Sequence, residues 1–305
     1  MTAWPSPLAT GADGRAILPA GTALKNRATL PECCDYAIDC RDGGEHRGPQ
    51  LVEAFVARLG DMQEGTTVFV RCALLAPFFE MAFARIPRPF VLVSGGSDTS
   101  TPGPWRQALE DPRLIRWFAE NGELASPHPK FEPMPIGMPD PHWPSGDQAV
   151  MLRLHGRMPA VEDKPLLAHA SFHLRVSHPA RREALAAIRH IEGVVLQPGR
   201  VVPELLWLRH AGHAFEISPR GNGQDCHRTW EALLLRSIPI VRRSALDALY
   251  RDFPIVIVDD WREISLAAMA QWRERLKDGF TPAMFARLTR DYWVERIRTA
   301  SLKVA

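Results

Sequence analysis

The residues whose types and spacing best suit chemistry follow the short apolar run Phe215–Ile217. A turn with two glycines, Gly221 and Gly223, comes next and leads into a predicted helix, for which Asp225 is a suitable N-cap. Such a turn at a helix N-terminus presents backbone N–H groups and a favourable dipole to an anion, often a pyrophosphate. A plain tight turn would contain the same two glycines, so the turn alone leaves both interpretations open.

Charged residues around this turn favour anion binding. Arg228 and Glu231 are three positions apart and share a face of the predicted helix. An arginine there can pair with a phosphate in a fork geometry, and Glu231 can accept hydrogen bonds from the two hydroxyls of a ribose. Arg220, in the turn, is a further expected contact, and Arg175 and Arg181 could add charge or simply be solvated. The alternative for Arg228 and Glu231 is a solvated ion pair.

This segment resembles the donor-binding segment of exostosin-like glycosyltransferases, that is, glycosyltransferase family 47 and its bacterial and viral relatives. The resemblance rests on residues 221–233, which read Gly-Asn-Gly-Gln-Asp-Cys-His-Arg-Thr-Trp-Glu-Ala-Leu, and on Ile-Pro-Ile-Val at 238–241. The family pattern is Gly-x-Gly, Arg-x-x-Glu-Ala and a Gly-Cys-Ile-Pro-Val strand. This sequence departs from the pattern at Arg236 and Ser237, which stand in place of Gly-Cys, and at Thr229, which stands in place of a usual leucine. These departures leave the identity of the transferred sugar undetermined.

The first half of the chain resembles bacterial members of the same group in three places. These are Phe90–Asp98, a buried strand that runs into a glycine turn with Asp, then Trp117–Asn121, and then Pro135–Met138. They support the resemblance mainly by their order along the chain, and all matches together span about residues 65–265.

The resemblance implies an inverting transfer of a sugar from a nucleoside diphosphate sugar, which we expect to be a UDP-sugar. The acceptor is expected to be a hydroxyl of a glycan or other molecule, in glycan or polysaccharide synthesis. The resemblance also implies that Arg228 contacts the donor diphosphate and Glu231 the ribose. An inverting transfer needs a general base. We expect Asp98, just past a predicted strand, to be that base, with Glu80 and His173 as alternatives. Each has a structural alternative, namely a turn cap, a helix-surface residue and a histidine near the core.

The sequence predicts that this reaction needs no metal and no cofactor other than the donor substrate. No Asp-x-Asp triplet is present, and Asp259 and Asp260 read as a turn at a strand end. A helix N-terminus and an arginine can stabilise the leaving diphosphate instead. Cys33, Cys34 and Cys40 lie close together in sequence, but they lack a Cys-x-x-Cys pair and a fourth ligand at zinc spacing.

Alternation of short apolar runs with helical patterns predicts parallel sheets built from β-α-β units. We expect an α/β fold with two Rossmann-like lobes facing a cleft, the GT-B type, with an acceptor-side lobe over residues 1–150 and a donor-binding lobe over 151–280. Leu114–Asn121 is predicted to be helical, and the proline- and glycine-rich Ser126–Asp147 to connect the lobes. An apolar stripe along Pro282–Ala300 predicts that the C-terminal helix, within 281–305, packs back on the first lobe.

Composition excludes some function classes and leaves others open. The 305 residues include 37 basic and 35 acidic side chains, a net charge of +2, which disfavours nucleic-acid binding. Without a signal or membrane-spanning pattern we expect a cytoplasmic protein, and peripheral membrane contact stays open. Two alternatives remain: a nucleotide-sugar epimerase of the same fold and a non-catalytic nucleotide-sugar-binding module. An assay with donor alone distinguishes an epimerase from a transferase, because an epimerase changes the sugar without releasing it.

Overall fold

The computed structural model describes residues 9–10, 15–40, 47–175, 178–197 and 199–302. Its strands are β1 Ala9–Thr10, β2 Ala16–Ile17, β3 Tyr36–Ile38, β4 Thr66–Arg71, β5 Phe90–Gly95, β6 Leu114–Glu120, β7 Phe131–Met134, β8 Ala168–Ala170, β9 Val194–Leu196, β10 Phe215–Ile217, β11 Ile238–Arg242 and β12 Val256–Val258. Its α-helices are α1 Thr29–Glu32, α2 Gly48–Val56, α3 Leu75–Met81, α4 Gln148–His155, α5 Ala180–Ile188, α6 Pro203–Ala211, α7 His227–Leu234, α8 Asp247–Tyr250, α9 Leu266–Leu276, α10 Pro282–Ala286 and α11 Arg290–Leu302.

The chain forms two compact units, here called the N-lobe and the C-lobe. The N-lobe contains Lys25–Ile136, Gly223–Asp225 and the described residues from 290 onward, and the C-lobe contains the other described residues. Each lobe has a five-stranded parallel sheet. The prediction of two parallel α/β lobes is therefore confirmed. The chain passes from one compact unit to the other after residues 24, 136, 222, 225 and 289, whereas the sequence placed lobe boundaries at 150 and 280.

The N-lobe sheet follows the order of the chain, β3-β4-β5-β6-β7, and is covered on both faces. On one face, Phe78 of α3 packs in a cluster with Trp117 of β6. On the other face, Trp293 and Ile297 of α11 pack with Phe118. The C-terminal helix therefore returns to the first lobe, as predicted, and closes its second face.

Two segments of the N-lobe differ from the sequence predictions. Leu114–Glu120 is strand β6, so the predicted helix there was wrong. Neighbouring residues Trp117 and Phe118 are buried on opposite faces of the sheet, and a strand covered on both faces loses the alternation that distinguishes it from a helix. The proline-rich stretch is not only a connection, since it contains edge strand β7, where a sheet tolerates Pro133.

The segment Pro282–Ala300 is two helices rather than one. Helix α10 ends before Arg287, and Thr289 then forms an antiparallel bridge with Leu24. Phe285 of α10 belongs to the C-lobe, where its ring lies 4.8 Å from that of His155. The apolar stripe is thus divided between the lobes, because the bridge at Thr289 interrupts the helix.

The C-lobe sheet reverses its strand order at one place. The order is β9-β8-β10-β11-β12, so β8 has β9 on one side and β10 on the other. In an open parallel sheet, the loops that leave the carboxyl ends of strands at such a switch point diverge and form a crevice in which ligands bind. A binding site is therefore expected at the loops after β8 and β10.

Candidate functional site

The loop after β10 leads directly into helix α7. The helix begins at His227 with Cys226 as N-cap and without a side-chain cap. The prediction of Asp225 as N-cap was wrong, because the Asp225 carboxylate accepts a hydrogen bond from the Ile136 N–H, 2.9 Å away, inside the N-lobe. Arg228 is consequently the second residue of α7 and lies beside the turn.

The buried cation of the site is Arg181, in the first turn of α5. Its side chain is only 7% exposed and donates to the carbonyls of His173, at 3.0 Å, and Arg220, at 3.3 Å. Among the described residues, no carboxylate lies within ion-pair distance of it. Burial, and after it the charge of Arg228, lowers the pKa of Arg181. A buried cation beside a like charge is costly unless an anion compensates it, so this arrangement suits an anionic ligand.

Further arginines surround His173, in the loop after β8. Burial lowers the pKa of His173, and so do the charges of Arg181, Arg200, Arg228 and Arg175. Arg175 and Arg200 are exposed, whereas Arg181 is buried rather than solvated. Four arginines therefore act on the loop after β8.

Arg220 is held within the turn itself. Its Nη2 donates to the Asn222 carbonyl at 2.9 Å, while its buried Nε has no hydrogen-bond partner in the described part of the chain. An unpartnered guanidinium nitrogen on a residue whose carbonyl accepts from Arg181 is consistent with the expected phosphate contact, which stays a prediction.

Arg228 points back toward the turn and not along the helix. Its Nη1 donates to Ser218 Oγ at 3.2 Å, and its Nε lies 3.8 Å from a carboxylate oxygen of Glu216. Within the described residues it forms no ion pair with Glu231, so the solvated pair that the spacing allowed is not what the structure shows. The guanidinium therefore lies at the glycine turn, and its contact with a diphosphate stays a prediction.

Glu231 is buried on the inner side of α7. It is 7% exposed, and its Oε1 accepts a hydrogen bond from Trp207 Nε1 at 3.4 Å. Burial raises the pKa of Glu231 to about 7, although Trp207 and Arg228 oppose the rise. Near neutral pH this carboxyl group exists in both forms, and either form can hydrogen-bond to a hydroxyl.

A second buried carboxylate, Glu216, was not singled out from the sequence. It lies in the middle of β10, fully buried, and pairs in register with His169 of β8. Burial acts to raise its pKa, but His210, His169 and Arg228 outweigh burial and hold the pKa below the usual carboxyl value. The signal in the sequence was an acid between two apolar residues of a short strand, with a histidine in the same position of another strand.

Three buried residues of the same region, His169, His210 and Glu216, could hold a metal ion. Their ligand atoms all lie within 4.8 Å of one another, and two imidazoles with a carboxylate suit zinc. The same atoms also form hydrogen bonds, since His169 Nδ1 is 3.0 Å from Glu216 Oε2. Metal independence stays a prediction from the sequence.

The two glycines of the turn are explained by close approach. A Cβ on Gly221 would lie 3.0 Å from Arg181 Nη2. A Cβ on Gly223, which belongs to the N-lobe, would lie 3.1 Å from Asp98 Oδ1 and 3.2 Å from Asn121 Oδ1. Each glycine therefore lets the backbone approach a polar side chain.

The three candidate bases lie in different surroundings. Asp98 is exposed in the loop after β5, where Ser97 and not Asp98 accepts the Thr99 N–H, so the turn-cap alternative does not apply. Glu80 is exposed on α3, the helix-surface position that was its alternative. His173 is exposed among the C-lobe arginines and is not a core histidine.

Comparisons with known proteins give structural likenesses only. No protein-family model matches the chain, and no curated protein matches it. Among the helices described, none has both the length and the apolar character needed to cross a bilayer.

Solved structures with a similar fold include UDP-forming trehalose-phosphate synthase from Burkholderia vietnamiensis, with 11% identity and TM-score 0.46 over 86% of this chain and 76% of that one. The Escherichia coli trehalose-6-phosphate enzyme bound to UDP-2-fluoroglucose has 10% identity and TM-score 0.48, over 86% and 78%. Starch synthase IV from Arabidopsis thaliana, bound to ADP and acarbose, has 11% identity and TM-score 0.41, over 87% and 78%. Likenesses at this level carry no information on what this chain binds.

Proposed function

We propose that this protein is a metal-independent, inverting glycosyltransferase of the exostosin-like kind, which transfers a sugar from a UDP-sugar to a hydroxyl of a glycan or similar acceptor. The observation that carries the proposal is the buried Arg181, next to Arg228 and without a carboxylate partner in the described structure, at the switch point of the C-lobe sheet. A diphosphate offers the negative charge that Arg181 lacks, and it can also accept hydrogen bonds from Arg228, whose own carboxylate neighbour Glu216 lies 3.8 Å away.

The buried Glu231 supports a nucleotide rather than a simple anion. It lies one turn beyond Arg228 on α7, and within the described part of the chain its carboxyl group accepts one hydrogen bond, from Trp207. A ribose offers two vicinal hydroxyls, which a carboxylate can bind together. Arg228 and Arg181 would then bind the diphosphate, and Glu231 the sugar of the nucleoside.

The reaction would form a bond between the acceptor oxygen and the anomeric carbon of the donor while the bond from that carbon to the diphosphate breaks. The arginines stabilise the charge that develops on the leaving diphosphate. We assign the general base to Asp98, because it is an exposed carboxylate in the loop after a parallel strand. His173 is a weaker candidate, since the arginines around it disfavour the imidazolium that proton abstraction would produce, and Glu80 lies on a helix surface.

Calorimetric titration with UDP and with uridine tests the donor site. A charge-assisted hydrogen bond contributes roughly 1.5–3 kcal/mol, so Arg228→Ala or Arg181→Ala should weaken UDP binding about 10- to 150-fold and uridine binding much less. Glu231→Ala should weaken both ligands. Arg182→Ala, which removes the exposed neighbour of Arg181 on α5, is the matched control and should leave both affinities at the parent level.

Three outcomes would contradict the assignment. If the Arg228 and Arg181 variants bind UDP as tightly as the parent, the donor site is elsewhere. If the parent, without acceptor, changes the sugar of a UDP-sugar and releases no UDP, the protein is an epimerase. If it binds UDP-sugars but releases no UDP with any acceptor, it is a binding module.

A further inference from the structure

The carboxylate of Glu216 is held from two sides by strand β8 and the loop after it. Its Oε2 lies 3.0 Å from His169 Nδ1, and its Oε1 accepts hydrogen bonds from Ser171 Oγ at 2.6 Å and from the Ser171 N–H at 3.3 Å. His210 Nε2 in turn lies 3.1 Å from Ser171 Oγ. The carboxylate therefore has a fixed orientation inside the C-lobe.

Arg228 lies beside this carboxylate without a direct hydrogen bond to it. The Nε of Arg228 is 3.8 Å from Glu216 Oε1, an ion-pair distance, and Nη1 donates to Ser218 Oγ at 3.2 Å. Ser171 and His169 already donate to both oxygens of Glu216, and Arg228 stays at ion-pair distance without forming a two-point bridge. Its Nη2 has no hydrogen-bond partner among the described residues and is available to a ligand.

We propose that Glu216 is a positioning residue for nucleoside diphosphate binding, which acts through Arg228 and is itself held by His169 and Ser171. This inference rests on the proposed function, because it assigns a role at the same donor site. Glu216 is fully buried in the middle of a strand, so it acts on the ligand through the guanidinium and not by contact. It also compensates the charge of Arg228, which leaves Arg181 as the cation that the diphosphate compensates.

The hydrogen-bonding pattern favours this role over a metal site at His169, His210 and Glu216. Both oxygens of Glu216 already have donors, and the permanent positive charge of Arg228 lies 3.8 Å away, which opposes a second cation.

A double-mutant cycle in the full chain tests the proposal, with the affinities for UDP and uridine measured by calorimetry. Because contacting residues couple energetically, Glu216→Gln should weaken UDP binding by about 10-fold and uridine binding by less than about 2-fold. In an Arg228→Ala background the same substitution should change UDP affinity by less than about 2-fold. Ser171→Ala, which leaves the carboxylate in place but removes its 2.6 Å hydrogen bond, should show the same pattern with a smaller loss.

Glu120→Gln provides the matched control, since Glu120 is also a fully buried carboxylate but lies in the N-lobe and pairs with Lys25 at 2.6 Å. It should lower stability without changing the ratio of UDP to uridine affinity. If Glu216→Gln fails to fold, the Ser171→Ala cycle decides the question alone.

Three results would overturn the inference. Equal losses for UDP and uridine in Glu216→Gln would indicate a merely structural role, and tighter UDP binding in both backgrounds would indicate simple charge repulsion. A stoichiometric metal in the purified parent that is absent from Glu216→Gln would indicate a metal site. A parent that binds no UDP at all would instead contradict the proposed function, so the two failures are distinguishable.

Discussion

The raised pKa of Glu231 predicts a specific pH dependence of stability. Glu231 is buried on α7, and burial raises its pKa to about 7 from the ordinary 4.5. The folded protein therefore binds this proton more tightly than the unfolded chain does. Its contribution to stability is fully present below pH 4.5 and is lost as the pH rises through 7.

The magnitude follows from the two pKa values. At roughly 1.4 kcal/mol per pKa unit, the difference between about 7 and 4.5 corresponds to roughly 3–4 kcal/mol. Most of this, roughly 2–3 kcal/mol, should be lost between pH 5 and pH 8. Glu231→Gln has no titrating group at this position, so the variant should gain about that much stability relative to the parent over the same range.

Urea denaturation of the parent and of Glu231→Gln at several pH values between 5 and 8 measures this difference. Comparing the two proteins at each pH cancels the other titrating groups, which both share. Glu183→Gln, at an exposed position of α5, measures what the loss of a surface carboxylate does by itself. If the difference between parent and Glu231→Gln changes by less than about 0.5 kcal/mol across the range, the reasoning from burial is refuted.

Three further predictions concern catalysis, the turn and the core. Asp98→Asn should lower turnover in a transfer assay by at least about 100-fold, while UDP affinity stays within about 2-fold, because a base acts only in the transition state. If turnover is retained, the base would be Glu80 or His173 instead. Gly221→Ala should weaken UDP binding by about 5-fold, because the new Cβ would lie 3.0 Å from Arg181 Nη2 and displace that side chain. The urea midpoint should change little. An unchanged UDP affinity would show that Arg181 is not part of the donor site. Ile297→Ala, at a fully buried position of α11, should cost about 2–5 kcal/mol in denaturation, and a negligible loss would contradict the packing of that helix.

Local patterns in the sequence determined the features that depend on neighbouring residues. The order of strands and helices predicted two parallel α/β lobes, and the apolar positions near the C-terminus predicted that the last helix covers the first lobe. The glycine turn before α7 and the arginine at its start were visible because a strand, a turn and a helix N-terminus are all formed within a few residues.

Only the tertiary structure decided what depends on residues far apart in the chain. Leu114–Glu120 is a strand because sheet neighbours on both sides and apolar layers on both faces surround it. Arg181 is buried because the carbonyls of two loops accept its hydrogen bonds. Glu216 meets His169 because β10 pairs with β8 in one register. Burial, pairing register and charge compensation are each set by several separate segments at once, so no single stretch of sequence contains them.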